Sequence, residues 1–260
     1  MGVNPSSTIF NGKEVYNMSI RGASLETQAL YFANIVNSSE PSELLLGIDF
    51  FDFLTDKSTA VTWPKNLDND SYLEINLALQ NNKFFYQNYI KSHAYSLVSL
   101  DALISSFKTM LRQASHANHL LGDGFNMADG FIGVVENEGL EVAFEHSENL
   151  LEKSITNERL GLSDLNNENN AYRSLNFIID HALRNNIKVT IFINPYHERY
   201  LKVVSKVGKF EMFLKWKNDL VDFLYDNSYS TKINLYDFSG FNRFTHEVVP
   251  SAKGEYMDWF

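Results

Sequence analysis

Four short stretches hold the residue types that could do chemistry: Arg21-Gly22-Ala23, Gly47-Ile48-Asp49-Phe50, Asn194-Pro195-Tyr196-His197 and Asp237-Phe238-Ser239-Gly240. Gly22 reads first as a turn glycine, and second as a backbone N–H aimed at an oxyanion. Asp49 ends a long apolar run, so an ionised carboxylate there must reach solvent at a strand end or be held by hydrogen bonds. An anchoring role and a functional one are both open to it. His197 follows a proline that fixes the chain, which lets it face a crevice as a base or a hydrogen-bond donor, although a lone histidine at a loop start is as a rule structural. Asp237 and Ser239 could orient a histidine and act as a nucleophile, but Asp-x-Ser-Gly is also ordinary turn chemistry, and that reading is preferred.

Other patterns are less productive. His116 and His119 have the spacing of two ligands on one helical face, yet no Glu of an H-E-x-x-H pattern accompanies them, so no metal is expected. No Gly-x-Gly-x-x-Gly and no Gly-Lys-Ser/Thr is present, so no nucleotide cofactor is implied. A formal net charge of -10 argues against a nucleic-acid partner, whose phosphates need clustered Lys and Arg. The absence of cysteine excludes disulfides, thiolate metal sites and cysteine nucleophiles. No apolar run reaches the roughly 18 residues of a membrane span. The aromatic group Phe84, Phe85, Tyr86, Tyr89 and Tyr95 reads as helix packing in preference to a sugar-stacking platform.

The candidate residues need elements to position them. Glu14 to Ile20 is β-compatible and runs into the Gly22 turn. Ser24 offers a helix N-cap, and Leu25, Ala29, Phe32, Ala33 and Val36 line one face of the helix that follows, until Pro41 stops it. Glu43 to Phe53 reads as a strand covered on both faces. Residues 56–170 read as a helical and loop insertion. Ala171, Leu175, Ile178, Ile179 and Ala182 recur with helical spacing before the β-branched run Ile187 to Ile193. Phe210, Phe213, Leu214, Leu220, Val221 and Leu224 mark another helix, and Ile233 to Asp237 a last strand. The alternation predicts one α/β domain over 1–260, doubly wound, with three α/β/α layers and a mainly parallel sheet of the flavodoxin-like kind. Any site then lies at the carboxyl ends of the strands, where all four stretches fall.

Taken together, Tyr16 to Ser24, Leu46 to Phe51, Phe192 to His197 and Leu235 to Asn242 resemble a bacterial family with an SGNH-hydrolase-like (GDSL-like) fold. The resemblance covers most of the chain outside 56–170. It implies a serine nucleophile after the first strand, oxyanion contacts from a glycine and an asparagine, and a base from an Asp-x-x-His block. Gly22 matches the glycine. Asp49 stands where the asparagine would, and a carboxylate there repels a developing oxyanion unless protonated. Arg21, Phe50, Asn194, His197, Asp237 and Ser239 complete the crevice candidates. Met1 to Pro5 looks like the segment just after the nucleophile turn, and Tyr256 to Phe260 like the segment just before the histidine block. The resemblance therefore implies a chain cut at both catalytic ends, inactive by itself. It also implies an acylated saccharide or other ester as substrate, and a bacterial envelope or periplasmic setting. A non-catalytic envelope module with the same fold is the competing expectation.

Overall fold

A computed structural model describes residue 10 and residues 12–20, 22–56, 73–82, 85–87, 89–91, 123–125, 131–162, 170–229 and 231–258. Helix α1 spans Leu25–Ser38, with the Ser24 hydroxyl accepting from the Thr27 N–H at 3.3 Å. It is followed by strand β1, Glu43–Ile48, a 3₁₀ turn over Phe50–Phe53 and strand β2, Leu54–Asp56. After the described part of the long central stretch come helices α2, Ile132–Asn137, and α3, Leu140–Ile155, then strand β3, Leu160–Leu162. Helix α4, Asn170–Arg184, leads into β4, Lys188–Ile193; α5, Glu198–Lys206, and α6, Phe210–Asp226, lead into β5, Ile233–Asp237.

The α/β class expected from the sequence is present. β1, β4 and β5 form a parallel sheet in that order, with Leu46 beside Ile191 and Ile191 beside Leu235. β2 and β3 make a separate antiparallel pair. The α4-to-β4 turn is made by Asn186 at φ +58°, a conformation asparagine tolerates, while the Ile187 N–H returns to the Ala182 carbonyl at 2.9 Å.

Strand alternation sends Leu46, Ile48, Val189, Ile191, Ile193 and Ile233 to one face, where all are buried. Together with Leu175, Ile178, Ile179, Trp216 and Leu220 they form a single core cluster, and α1 packs along α4 above it. Each such fully buried aliphatic side chain contributes about 1.5–3 kcal/mol of transfer free energy. The opposite face holds Leu45 and Tyr236, which are 46% and 50% exposed, so among the described residues the sheet is buried on one side only.

Two segments differ from their sequence reading. Glu14 to Ile20 is not in a sheet: the Asn17 N–H donates to the Asp123 carbonyl at 2.7 Å, the Ile20 carbonyl accepts from the Ala23 N–H in a turn, and Tyr16 and Ile20 are exposed. β-compatible composition makes a strand only where a ladder partner exists. The run Glu43 to Phe53 ends as a strand at Ile48, because the Asp49 side chain accepts from the Phe51 N–H and winds the next residues into the 3₁₀ turn. Of the 56–170 stretch, α2, α3 and β3 are described, whereas His116, His119, Phe84 and Tyr95 lie outside the described residues.

Candidate functional site

The parallel ladder is what gathers the site. Past the ends of the strands, the Asn194 N–H still donates to the Ile48 carbonyl and the Phe238 N–H to the Ile193 carbonyl, each at 3.2 Å. Asp49, Asn194 and Phe238 therefore leave the sheet at one level, along its carboxyl edge. Asp49 is the most heavily engaged. Its Oδ1 accepts from the Phe51 N–H at 3.0 Å and from the Tyr196 hydroxyl at 2.9 Å, and the Asn194 side chain bonds to the same carboxyl. The Tyr196 oxygen in turn accepts from the Phe50 N–H at 2.8 Å. Gly47 leaves room for this arrangement, since a Cβ there would stand 2.8 Å from Asn194 Oδ1 and 3.0 Å from the Phe192 ring.

A second carboxyl completes the group. In a 3₁₀ turn, residues three apart eclipse, so Asp52 comes round above Asp49, its N–H donating to the Asp49 carbonyl at 3.2 Å. Burial pushes Asp49 above the ordinary carboxylate range, against the pull of the Phe51 N–H, Tyr196 and Asn194. Asp52 is pushed up to about 7, first by burial and then by the charge of Asp49. Among the described residues its half-buried carboxyl has no hydrogen-bond partner. Tyr196 is held neutral, raised well above its usual value by burial and by Asp49. Among the described residues the donors go to Asp49 and none to Asp52, an asymmetry that favours the ionised form on Asp49 and the proton on Asp52.

The other candidates fall differently. His197, expected either at the crevice or in a structural role, is buried behind α5. Its Nδ1 accepts from the Arg199 N–H at 3.3 Å, capping α5, while Nε2 lies 2.7 Å from the Glu247 carbonyl and Phe144 packs edge-on at 4.9 Å. Ser239 is fully buried, its hydroxyl donating to Asp237 Oδ1 at 2.5 Å and its N–H to the same oxygen at 2.9 Å. The other Asp237 oxygen takes Lys217 Nζ at 2.8 Å. Burial acts to raise Asp237, but Lys217 and Ser239 outweigh it and hold the carboxyl low. That is turn and ion-pair chemistry, with no hydroxyl free to attack. The Phe50 side chain belongs to the core, against Phe213 and Trp216. Gly22 is exposed at φ +71° in a turn closed by the Ala23 N–H on the Ile20 carbonyl at 3.2 Å. Arg21 lies outside the described residues.

No family model, no curated protein and no solved structure matches the chain. The site must be judged on its own geometry. Among the described residues no group of three or more His, Cys, Asp or Glu side chains is gathered as a metal site, and no helix is long and apolar enough to cross a membrane.

Sequence reasoning missed Asp52 and Tyr196. The Asp49-Phe50-Phe51-Asp52 spacing was the available signal for the first, once the strand is ended at Ile48. Tyr196, directly after Pro195, shares the loop of the named Asn194 and His197.

Proposed function

We propose that this chain supplies the scaffold and strand-end crevice of an SGNH-like serine hydrolase or acyltransferase acting on acyl esters. The substrates implied by the resemblance are esters of cell-envelope saccharides. The observation that supports the reading most is the meeting of Asp49, Asp52 and Asn194 at the carboxyl edge of adjacent parallel strands, which is where doubly wound proteins bind ligands. The doubly wound, three-layer form of the fold belongs to the same reading. In it a serine attacks the acyl carbon, a histidine takes the serine proton, and the Gly22 N–H helps to hold the oxyanion. A proton on Asp52 lowers the negative charge that a carboxyl pair would otherwise set against an oxyanion.

A second reading is a non-catalytic envelope module that uses the crevice for binding alone. It is favoured by the engagement of Ser239 and His197 in structural hydrogen bonds. Labelling the folded full-length gene product with a fluorophosphonate probe separates the two. A single serine adduct located by peptide mass spectrometry supports the hydrolase, and a folded protein that takes up no label leaves the binding module.

A further inference from the structure

Two carboxyls lie together beyond the end of β1, but they are not equivalent. Asp49 Oδ1 receives both the Phe51 N–H and the Tyr196 hydroxyl, whereas Asp52 receives no donor from the described residues. The Tyr196 oxygen is itself fixed by the Phe50 N–H, and its ring is wedged edge-on between Phe51 at 6.0 Å and Phe213 at 5.8 Å. The phenol can therefore neither rotate away from Asp49 nor reach Asp52 without giving up a buried hydrogen bond.

We propose that Tyr196 is a positioning residue that fixes which carboxyl of this crevice meets the ligand. By clamping Asp49 as the hydrogen-bonded carboxylate, it leaves Asp52 as the protonated group that donates a hydrogen bond to a ligand oxygen, such as the carbonyl of an ester. The assignment rests on the strand-end crevice being the functional site, but it does not depend on a serine nucleophile. Among the described residues, the titratable groups facing the pair are Tyr196 from the loop after β4 and the two carboxyls themselves. From α4, Tyr172 packs on Phe53, and Asp219 of α6 acts on Tyr172, not on Asp52.

The experiment is a carboxyl-carbon NMR titration of the protein labelled at aspartate, with Tyr196→Phe and Asp49→Asn alongside and amide spectra confirming that each variant is folded. In the parent, Asp52 takes up its proton near neutrality and Asp49 at lower pH. In Asp49→Asn the Asp52 midpoint falls by roughly one unit or more, because the neighbouring charge is gone. In Tyr196→Phe the order reverses: Asp49 loses its clamp and becomes the carboxyl that protonates first as pH falls, and the Asp52 midpoint drops. Asp52 titrating in the ordinary carboxylate range in the parent overturns the proposal. So does an unchanged order in folded Tyr196→Phe. Should that variant fail to fold, an Asp52 midpoint unmoved by Asp49→Asn is equally decisive. None of these readouts moves with the presence or absence of fluorophosphonate labelling, so the proton assignment and the hydrolase reading can fail separately.

Discussion

Asn194 lies directly over Gly47, its Oδ1 at 2.8 Å from where a Cβ on that glycine would stand. The glycine is required by this close approach and not by its backbone angles, which lie outside the left-handed region. Gly47→Ala forces the Asn194 amide and the Phe192 ring to shift, and the amide is already committed to Asp49. The expected loss is about 1–3 kcal/mol, the usual range for overpacking. Denaturant unfolding measures it, and a Gly47→Ala protein as stable as the parent would show that the cradle is loose.

His197 is expected to behave as a cap. His197→Ala removes the acceptor for the Arg199 N–H and leaves the Glu247 carbonyl without its ring partner, at about 1–3 kcal/mol. His197→Asn can still accept from the α5 N-terminus and recovers part of that loss. Unfolding midpoints that rank parent above Asn above Ala support the assignment. Equal midpoints for Asn and Ala would mean that capping contributes nothing.

How far the molecule could be read from its sequence follows from which interactions are local. The run Ile187 to Ile193, a strand over Lys188–Ile193, and the Ser24 cap with its helical face are local patterns, and both appear in the structure. The fate of Glu14 to Ile20 depended on a ladder partner, which no short-range pattern supplies. For His197 the decisive contact was the Glu247 carbonyl, 50 residues further along the chain. Asp52 was hidden for a geometric reason. Read as part of a strand, it points away from Asp49; the 3₁₀ turn brings it back above that residue.

Arg199 ties the central stretch to the α/β core. Its guanidinium bonds to Glu141 at 2.8 and 2.9 Å and to Glu148 through both Nε and Nη2, so that α3 is bolted to α5. Being only 20% exposed and bidentate, this group is worth more than a surface pair. Arg199→Met deletes the charge and with it the cation over the Phe144 ring, and leaves Glu141 and Glu148, side by side on α3, without their shared partner. A loss of about 1–3 kcal/mol is expected, along with faster amide exchange along α3. Unchanged exchange in α3 would place its anchoring elsewhere.

The Asp49–Asp52 pair predicts an unusual pH dependence of stability. Asp52 titrates at about 7 in the folded chain and near 4 when unfolded, so between those values the folded state binds the extra proton. Stability from this group is therefore fully present below about pH 4 and falls as pH rises toward 7, by roughly 2–4 kcal/mol in total. Asp237 acts in the opposite sense. Its lowered carboxyl contributes stability that is present above the ordinary carboxylate range and lost as pH falls below it. The two effects occupy different windows, which makes them separable. Asp52→Asn should leave the acid limb in place, lessen the fall between about pH 4 and 7 to what the raised Asp49 contributes, and raise stability at pH 8 relative to the parent. Denaturant unfolding across that range tests it. If the parent and Asp52→Asn curves ran parallel, Asp52 would carry no proton in the folded state, and the acid–base asymmetry of the crevice would have to be assigned to Asp49 alone.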